Sequence, residues 1–125
     1  MSAHVLIVED EPNIVESLTF ILKREGCLVT AVFDGEAVLE TLLVEKPNVV
    51  ILDVMLPKLN GFEVLKRIKA DPALKAIPVM VLTAKGQDKD RKTAEDLGAD
   101  AFVTKPFANR DLVARVLELA AASAA

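Results

Sequence analysis

The sequence is short of several residues on which whole classes of protein depend. It has no tryptophan or tyrosine, and in 125 residues it has one cysteine, one histidine, five glycines and six prolines. A single cysteine, Cys27, excludes an internal disulfide and a cysteine-rich metal site. The few glycines and prolines exclude collagen-like and low-complexity chains. Apolar runs such as residues 49–52 are far shorter than the ~20 residues that a membrane-crossing helix needs.

Positive charge is also in the minority. Fifteen lysines and arginines oppose nineteen aspartates and glutamates, which gives a formal net charge of -4. Because a phosphate backbone selects for clustered basic residues, we expect no direct binding of nucleic acid. The N-terminus lacks the basic segment and long apolar stretch of a signal peptide. We therefore expect a cytoplasmic protein with no membrane partner.

The residues that are abundant predict a folded α/β domain. Hydrophobic residues make up 52% of the chain, too many for an intrinsically disordered protein. Short apolar runs alternate five times with segments of helical periodicity. The predicted strands are residues 5–8, 28–33, 49–52, 79–82 and 101–103. Since these runs are apolar throughout, both faces of the sheet should be buried, as in a parallel sheet covered by helices.

This alternation predicts one domain over residues 1–125. The expected fold is a doubly wound five-stranded parallel sheet with helices on both faces and the flavodoxin-like strand order 2-1-3-4-5. The fourth predicted helix, residues 88–97, is poorly amphipathic. We expect its local stability to be low, and elements of low stability are those that move in switching.

Chemically active side chains follow four of the five predicted strands. They are Glu9, Asp10 and Glu11 after the first strand, Asp53 after the third, Thr83 after the fourth and Lys105 after the fifth. The carboxyl ends of parallel strands meet at one edge, where open α/β sheets bind ligands. We therefore expect these side chains to converge there. Glu11, directly before Pro12, is equally suited to the N-terminus of a helix.

The charges at this edge indicate a phosphoryl-transfer site. Glu9, Asp10 and Asp53 would place three carboxylates together, and each would disfavour ionisation of the others. Mg²⁺ resolves this, because it is bound by one or two carboxylates and keeps several waters. With Lys105 added, the charges cancel and the site can hold a phosphoryl group. Aspartate is itself a nucleophile toward phosphorus.

In these motifs the chain resembles the receiver domain of two-component response regulators. The motifs that carry the resemblance are residues 8–11, Asp53 with Met55 and Gly61 behind it, residues 81–84, and residues 98–107. The resemblance is to chemotaxis-regulator-like single domains and, in some details, to the receivers of winged-helix transcriptional regulators. It implies a signalling switch whose enzymatic activity is limited to its own phosphorylation and dephosphorylation.

The resemblance also implies a role for each strand-end residue. Asp53 would accept a phosphoryl group from a histidine kinase or phosphotransfer protein. Asp10, Asp53 and the backbone carbonyl of Met55 would bind Mg²⁺, and Glu9 would act through water. Lys105 would pair with the phosphoryl oxygens.

Two further side chains would carry the switch. Thr83 would move to bond the phosphoryl group, and Phe102 would turn inward as Thr83 vacates space. The region 85–105 would then alter the surface formed by the fourth and fifth helices and the fifth strand, which controls a partner. The resemblance also implies a cis peptide bond between Lys105 and Pro106.

The sequence departs from the family pattern in three places. Tyrosine is common at the position of Phe102, and phenylalanine lacks the tyrosine hydroxyl. Ala101 stands where receivers of winged-helix regulators often carry a second acid. The third departure is that the 125 residues end after the last predicted helix without an effector domain. We therefore expect the output partner to be a downstream protein or a missing effector domain.

A set of charged residues resembles the salt-bridged homodimer face of those regulators. The set consists of Arg91, Asp100, Asp111 and Arg115. Asp111 stands where glutamate is more usual. The alternative is an ordinary solvated face, because exposed ion pairs contribute only ~0–1 kcal/mol.

Two other functions remain open on the sequence alone. A haloacid-dehalogenase-like phosphohydrolase also uses an aspartyl nucleophile, but Met55 stands where its second aspartate would be. A binding module that does not depend on phosphorylation could have the same fold. A nucleotide-binding domain is excluded, because no glycine-rich loop follows the first strand.

Overall fold

Along the part of the chain that the structure describes, five strands alternate with five helices. The computed structural model describes residues 3–54, 56, 60–84 and 88–124. The elements are β1 (His4–Val8), α1 (Pro12–Arg24), β2 (Leu28–Val32), α2 (Gly35–Glu45), β3 (Val49–Asp53), α3 (Gly61–Ala70), β4 (Val79–Ala84), α4 (Asp88–Asp96), β5 (Ala101–Lys105) and α5 (Asn109–Ala124). None of the helices within the described ranges combines the length and apolarity needed to cross a bilayer.

All four strand pairings are parallel, and the strand order is β2-β1-β3-β4-β5. The predicted fold and order are therefore confirmed. The order reverses between β1 and β3, which is where a ligand site is expected. Val8 pairs with Leu52 across these strands. This register brings the residues that follow, Glu9 and Asp53, to the same level at the edge of the sheet.

The core consists of two apolar layers, one on each face of the sheet. Alternate strand residues point to opposite faces, so that Leu6 and Leu52 pack with α2, α3 and α4. Ile7 and Ile51 pack on the other face with α1 and α5. Burial on both faces explains why the strands read as continuous apolar runs.

Helix α4 is the least anchored of the helices. Ala94 is the one buried side chain among those of α4 that the structure describes. Leu97, just after the helix, is partly buried against the same layer. This matches the low apolar content of its sequence, in which Ala94 is the one apolar residue between Asp88 and Asp96. Local opening should therefore cost less free energy here than in helices that bury a full apolar face.

The strands β4 and β5 extend furthest beyond their predicted ends. β4 reaches Ala84 and β5 reaches Lys105, each two residues beyond the predicted end. Backbone pairing continues through Thr83 with Thr104 and through Ala84 with Lys105. Thr83 and Lys105 are therefore held by the sheet itself rather than by flexible loops.

A close backbone approach fixes the start of α3 beside the end of β3. Asn60 caps the helix, and its Oδ1 accepts hydrogen bonds from the amides of Phe62 and Glu63. A Cβ atom on Gly61 would clash with the Cα of Val54. Only glycine fits at this position without a shift of the backbone that follows Asp53.

We expect Gly61→Ala to lower the free energy of unfolding by about 1–3 kcal/mol, the usual cost of overpacking. Urea unfolding measures this change. Lys66→Ala, on the exposed side of the same helix, is the control and should stay within about 0.5 kcal/mol. An unchanged midpoint for Gly61→Ala would contradict the close approach.

Candidate functional site

The buried polar residues of the structure lie together at one edge of the sheet. Within the described ranges, the buried polar or charged residues are Glu9, Asp53 and Thr83, which are 0%, 3% and 1% exposed. Each was predicted to lie at a strand end. Burying such groups costs free energy unless they are paired, so their placement points to a function other than stability.

The Lys105 ammonium, at the end of β5, interacts with carboxylates at the ends of β1 and β3. Its Nζ donates a hydrogen bond to Asp53 Oδ2 over 2.8 Å. The same atom lies 2.7 Å from Glu9 Oε1 and 4.0 Å from Glu11 Oε2. Burial alone would lower the pKa of Lys105, but the hydrogen bonds and charges of Asp53 and Glu9 outweigh it and raise the pKa. The side chain is therefore an ammonium at neutral pH. The peptide bond between Lys105 and Pro106 is cis, as the family resemblance implied.

Glu9 organises the loop between β1 and α1. Its Oε2 accepts hydrogen bonds from the amides of Asp10, at 3.0 Å, and Glu11, at 3.2 Å. Its Oε1 lies 2.7 Å from the Lys105 ammonium and makes the ion pair with it. Burial is the main cause that raises the pKa of Glu9, and the nearby Asp53 raises it further. Glu11 occupies the N-cap position of α1 without a side-chain capping bond.

Three carboxylates at this edge are close enough to share one cation. Glu9, Asp10 and Asp53 each offer an oxygen, and these oxygens lie within 4.8 Å of one another. Carboxylate oxygens are the ligands that Mg²⁺ prefers. The closeness of the three carboxylates and the exposed side chain of Asp10 fit a cation that keeps part of its water shell. Met55, predicted to contribute its carbonyl, lies outside the described residues.

The two predicted switch residues both contact the first turn of α4. Thr83 Oγ1 donates a hydrogen bond to Asp90 Oδ2 over 3.1 Å. The guanidinium carbon of Arg91 lies 5.3 Å from the ring centroid of Phe102, within the range of a cation–π contact. The sequence analysis did not single out Asp90, because an acid on a polar helix carries no signal of its own.

The predicted homodimer residues lie around one surface. Arg91, Asp100, Asp111 and Arg115 all line a groove of about 690 Å³ between α4, β5 and α5. Two of them also have partners within the chain. Arg91 lies 3.5 Å from Glu95, and Asp100 Oδ2 lies 2.9 Å from Lys69 Nζ. The dimer role of this set remains a prediction.

The sequence of motifs along the chain matches a known family. Residues 5–117 match the response regulator receiver domain. The chain belongs to this family. It is therefore a receiver domain of two-component signalling, and receiver domains act as signalling switches that interact with histidine kinases and effector domains. Members of the family generally bind Mg²⁺ at an acidic pocket.

Curated and solved relatives agree with this assignment. The chain is 42% identical over 116 residues to the alkaline phosphatase synthesis transcriptional regulatory protein PhoP of Bacillus subtilis, covering 93% of the chain and 48% of PhoP. The chain thus spans about half the length of this relative.

Two solved structures show the same fold over nearly the whole chain. A response regulator from Chloroflexus aurantiacus is 31% identical with a TM-score of 0.90, covering 97% of this chain and 99% of that one. The signal receiver domain of a signal transduction histidine kinase from Syntrophus aciditrophicus is 32% identical with a TM-score of 0.88, covering 97% and 92%.

The raised pKa of Glu9 predicts a specific pH dependence of stability. Because the folded state binds this proton more tightly than the unfolded state, the resulting stabilisation is complete below the ordinary pKa of 4.5. It is lost as the pH rises through the raised pKa. Glu9→Gln has no such proton. The free energy of unfolding of the wild type, minus that of Glu9→Gln, should therefore fall from pH 4.5 toward neutrality.

Urea unfolding at a series of pH values, in EDTA to exclude divalent cations, measures this difference. A difference that stays constant or rises with pH would contradict the buried placement of Glu9.

Proposed function

We propose that this receiver domain accepts a phosphoryl group on Asp53 from the phosphohistidine of a histidine kinase or phosphotransfer protein. The reaction would depend on Mg²⁺, and the product would change the surface of α4, β5 and α5 to control a partner. One observation carries the proposal. The Asp53 carboxylate, at the switch point of the sheet, is hydrogen-bonded to Lys105 beside two further carboxylates.

In this reaction a carboxylate oxygen of Asp53 attacks phosphorus and forms a P–O bond. The P–N bond of the phosphohistidine breaks, and its electron pair returns to the imidazole. Asp53 is then an acyl phosphate. No general base is needed, since a carboxylate has no proton to lose, and the protein's contribution is positioning and charge neutralisation. Hydrolysis of the acyl phosphate would return the domain to its starting state.

Lys105 is well placed to neutralise the transferred group. Its ammonium already donates to Asp53 Oδ2 and would exchange this carboxylate for a phosphoryl oxygen. The raised pKa of Lys105 keeps this charge at any physiological pH. Hydrogen bonds between charged partners are stronger than those between neutral groups. The Lys105 ammonium would therefore orient the phosphoryl group as well as attract it.

The residues that would hold Mg²⁺ are Asp10 and Asp53 directly and Glu9 through water. Met55, whose carbonyl is part of the proposal, lies outside the described residues. When bound, Mg²⁺ would supply positive charge to the phosphoryl oxygens. With Lys105 it would also balance the three carboxylates, which otherwise disfavour one another's ionised forms.

The output would pass through α4, because both switch residues contact it and it is weakly anchored. Thr83 and Phe102 would change position when the phosphoryl group arrives, and the region 85–105 would respond. The partner would be a downstream protein, an effector domain or a second copy bound at Arg91, Asp100, Asp111 and Arg115. Self-phosphorylation and self-dephosphorylation would be its only enzymatic activities.

We expect incubation with acetyl phosphate and Mg²⁺ to add the mass of one phosphoryl group, measured by intact-mass spectrometry. Asp53→Asn should abolish the adduct, because an amide is not a nucleophile toward phosphorus, and EDTA should prevent it. Asp96→Asn, which alters an exposed aspartate on α4, should still be modified. An adduct that persists in Asp53→Asn would overturn the assignment, and turnover of many phosphoesters would favour a phosphohydrolase.

We also expect Mg²⁺ to stabilise the wild-type domain. A cation at about 100 times its dissociation constant adds about 2.7 kcal/mol to the free energy of unfolding. Asp10→Asn should lose most of this gain, since it removes an exposed oxygen of the carboxylate cluster without altering the core. Thermal melts with and without Mg²⁺ measure the gain, and Asp96→Asn is again the control. Equal stabilisation of Asp10→Asn would contradict the proposed ligand set.

A further inference from the structure

The third and fourth residues of α4, Asp90 and Arg91, touch the two residues proposed as switches. Asp90 Oδ2 accepts the hydrogen bond of Thr83 Oγ1, and the guanidinium of Arg91 lies over the ring of Phe102. Thr83 is only 1% exposed, so its hydroxyl has little access to bulk water as an alternative partner. The first turn of α4 therefore restrains both switch residues at once.

Asp90 competes directly with a phosphoryl group for the hydroxyl of Thr83. A threonine hydroxyl has one proton to donate. Both a carboxylate oxygen and a phosphoryl oxygen need to receive that proton. Thr83 gives it to Asp90 in this structure, so it cannot also give it to an oxygen on Asp53. One bond must break before the other can form.

We propose that Asp90 is a positioning residue that holds Thr83 in its unphosphorylated arrangement and so opposes activation. The proposal rests on the proposed function, in which Thr83 bonds the phosphoryl group. The state that can make this bond is populated only in the fraction of molecules in which the bond to Asp90 is broken. The apparent affinity for a phosphoryl group or its mimic is reduced by that fraction.

The same bond links the phosphoryl site to the position of α4. While Thr83 donates to Asp90, the first turn of α4 is tied to the end of β4. When Thr83 turns to the phosphoryl group, that tie is lost, and Ala94 is the buried side chain left to anchor the described part of the helix. Arg91 lies on the freed turn, so its contact with Phe102 is released from the same restraint.

A simpler role for Asp90 has a different signature. Its negative charge could merely repel an anion at the neighbouring site. Repulsion would act whether or not residue 83 carries a hydroxyl, and it would vanish equally with any neutral residue at position 90. A restraint through the hydrogen bond requires Thr83 and depends on whether residue 90 can still accept a bond.

The test is a titration of the domain with beryllofluoride, a phosphoryl mimic, in excess Mg²⁺, followed through backbone amide NMR signals. The set of proteins is the wild type, Asp90→Ala, Asp90→Asn, Thr83→Val, and the double variants that combine Thr83→Val with each substitution of Asp90. Asp96→Ala, an exposed aspartate on the same helix, is the matched control.

We expect Asp90→Ala to bind beryllofluoride about tenfold more tightly than the wild type, the scale set by a hydrogen bond to a charged group. Asp90→Asn should gain less, because its amide oxygen still accepts from Thr83. In the Thr83→Val background, Asp90→Ala should bring no gain. Asp96→Ala should match the wild type.

Three outcomes would overturn the proposal. They are an unchanged affinity of Asp90→Ala, equal gains for the alanine and asparagine variants, and an equal gain with and without the Thr83 hydroxyl. If the alanine variant does not fold, the effect of Asp90→Asn with and without the Thr83→Val substitution decides the matter. A wild type that does not bind beryllofluoride with Mg²⁺ would instead refute the proposed function, which is a separate result.

Discussion

The site depends on the contact between one ammonium and two buried carboxylates. Lys105 lies within 2.8 Å of both Glu9 and Asp53, and without this cation the two acids would disfavour each other's charge in an environment that solvates neither. Removing one member of such a buried set is strongly destabilising, because the remaining charges lose their compensation. The pairing with Lys105 therefore compensates the charge of the two buried carboxylates.

The fold brings these charged groups together through the register of the strands and the positions of the strand ends. Both faces of the sheet are packed, so charged side chains are not tolerated within the strands. They are tolerated only at the ends of the strands. Val8 pairs with Leu52, and Ala84 pairs with Lys105, which places functional groups of separate strands at one level. Gly61 lets the chain return against the end of β3 without disturbing it.

The convergence of charged residues at one edge of the sheet could be predicted from the sequence. It depends on the hydrophobic periodicity and on which residue follows each apolar run. The strand order, Glu9, Asp53, Thr83 and Lys105 followed from those two signals together with the family motifs. The contact of Thr83 with Asp90 could not be predicted, because it depends on the angle at which a weakly apolar helix lies on the sheet. The periodicity of the sequence does not predict that angle.

The two ends of α4 are restrained by contacts of different kinds. At its start, Thr83 donates a hydrogen bond to Asp90, and under our proposal this bond would compete with a phosphoryl group on Asp53. Beyond its end, Lys69 Nζ bonds Asp100 Oδ2 and the carbonyl oxygen of Ile77, while the amide of Val79 donates to the same Asp100 oxygen. None of these last contacts involves the phosphoryl site. If a phosphoryl group on Asp53 breaks the bond between Thr83 and Asp90, as we propose, it would release the start of the helix and leave the contacts of Asp100 in place, which favours a pivot of α4 over its detachment.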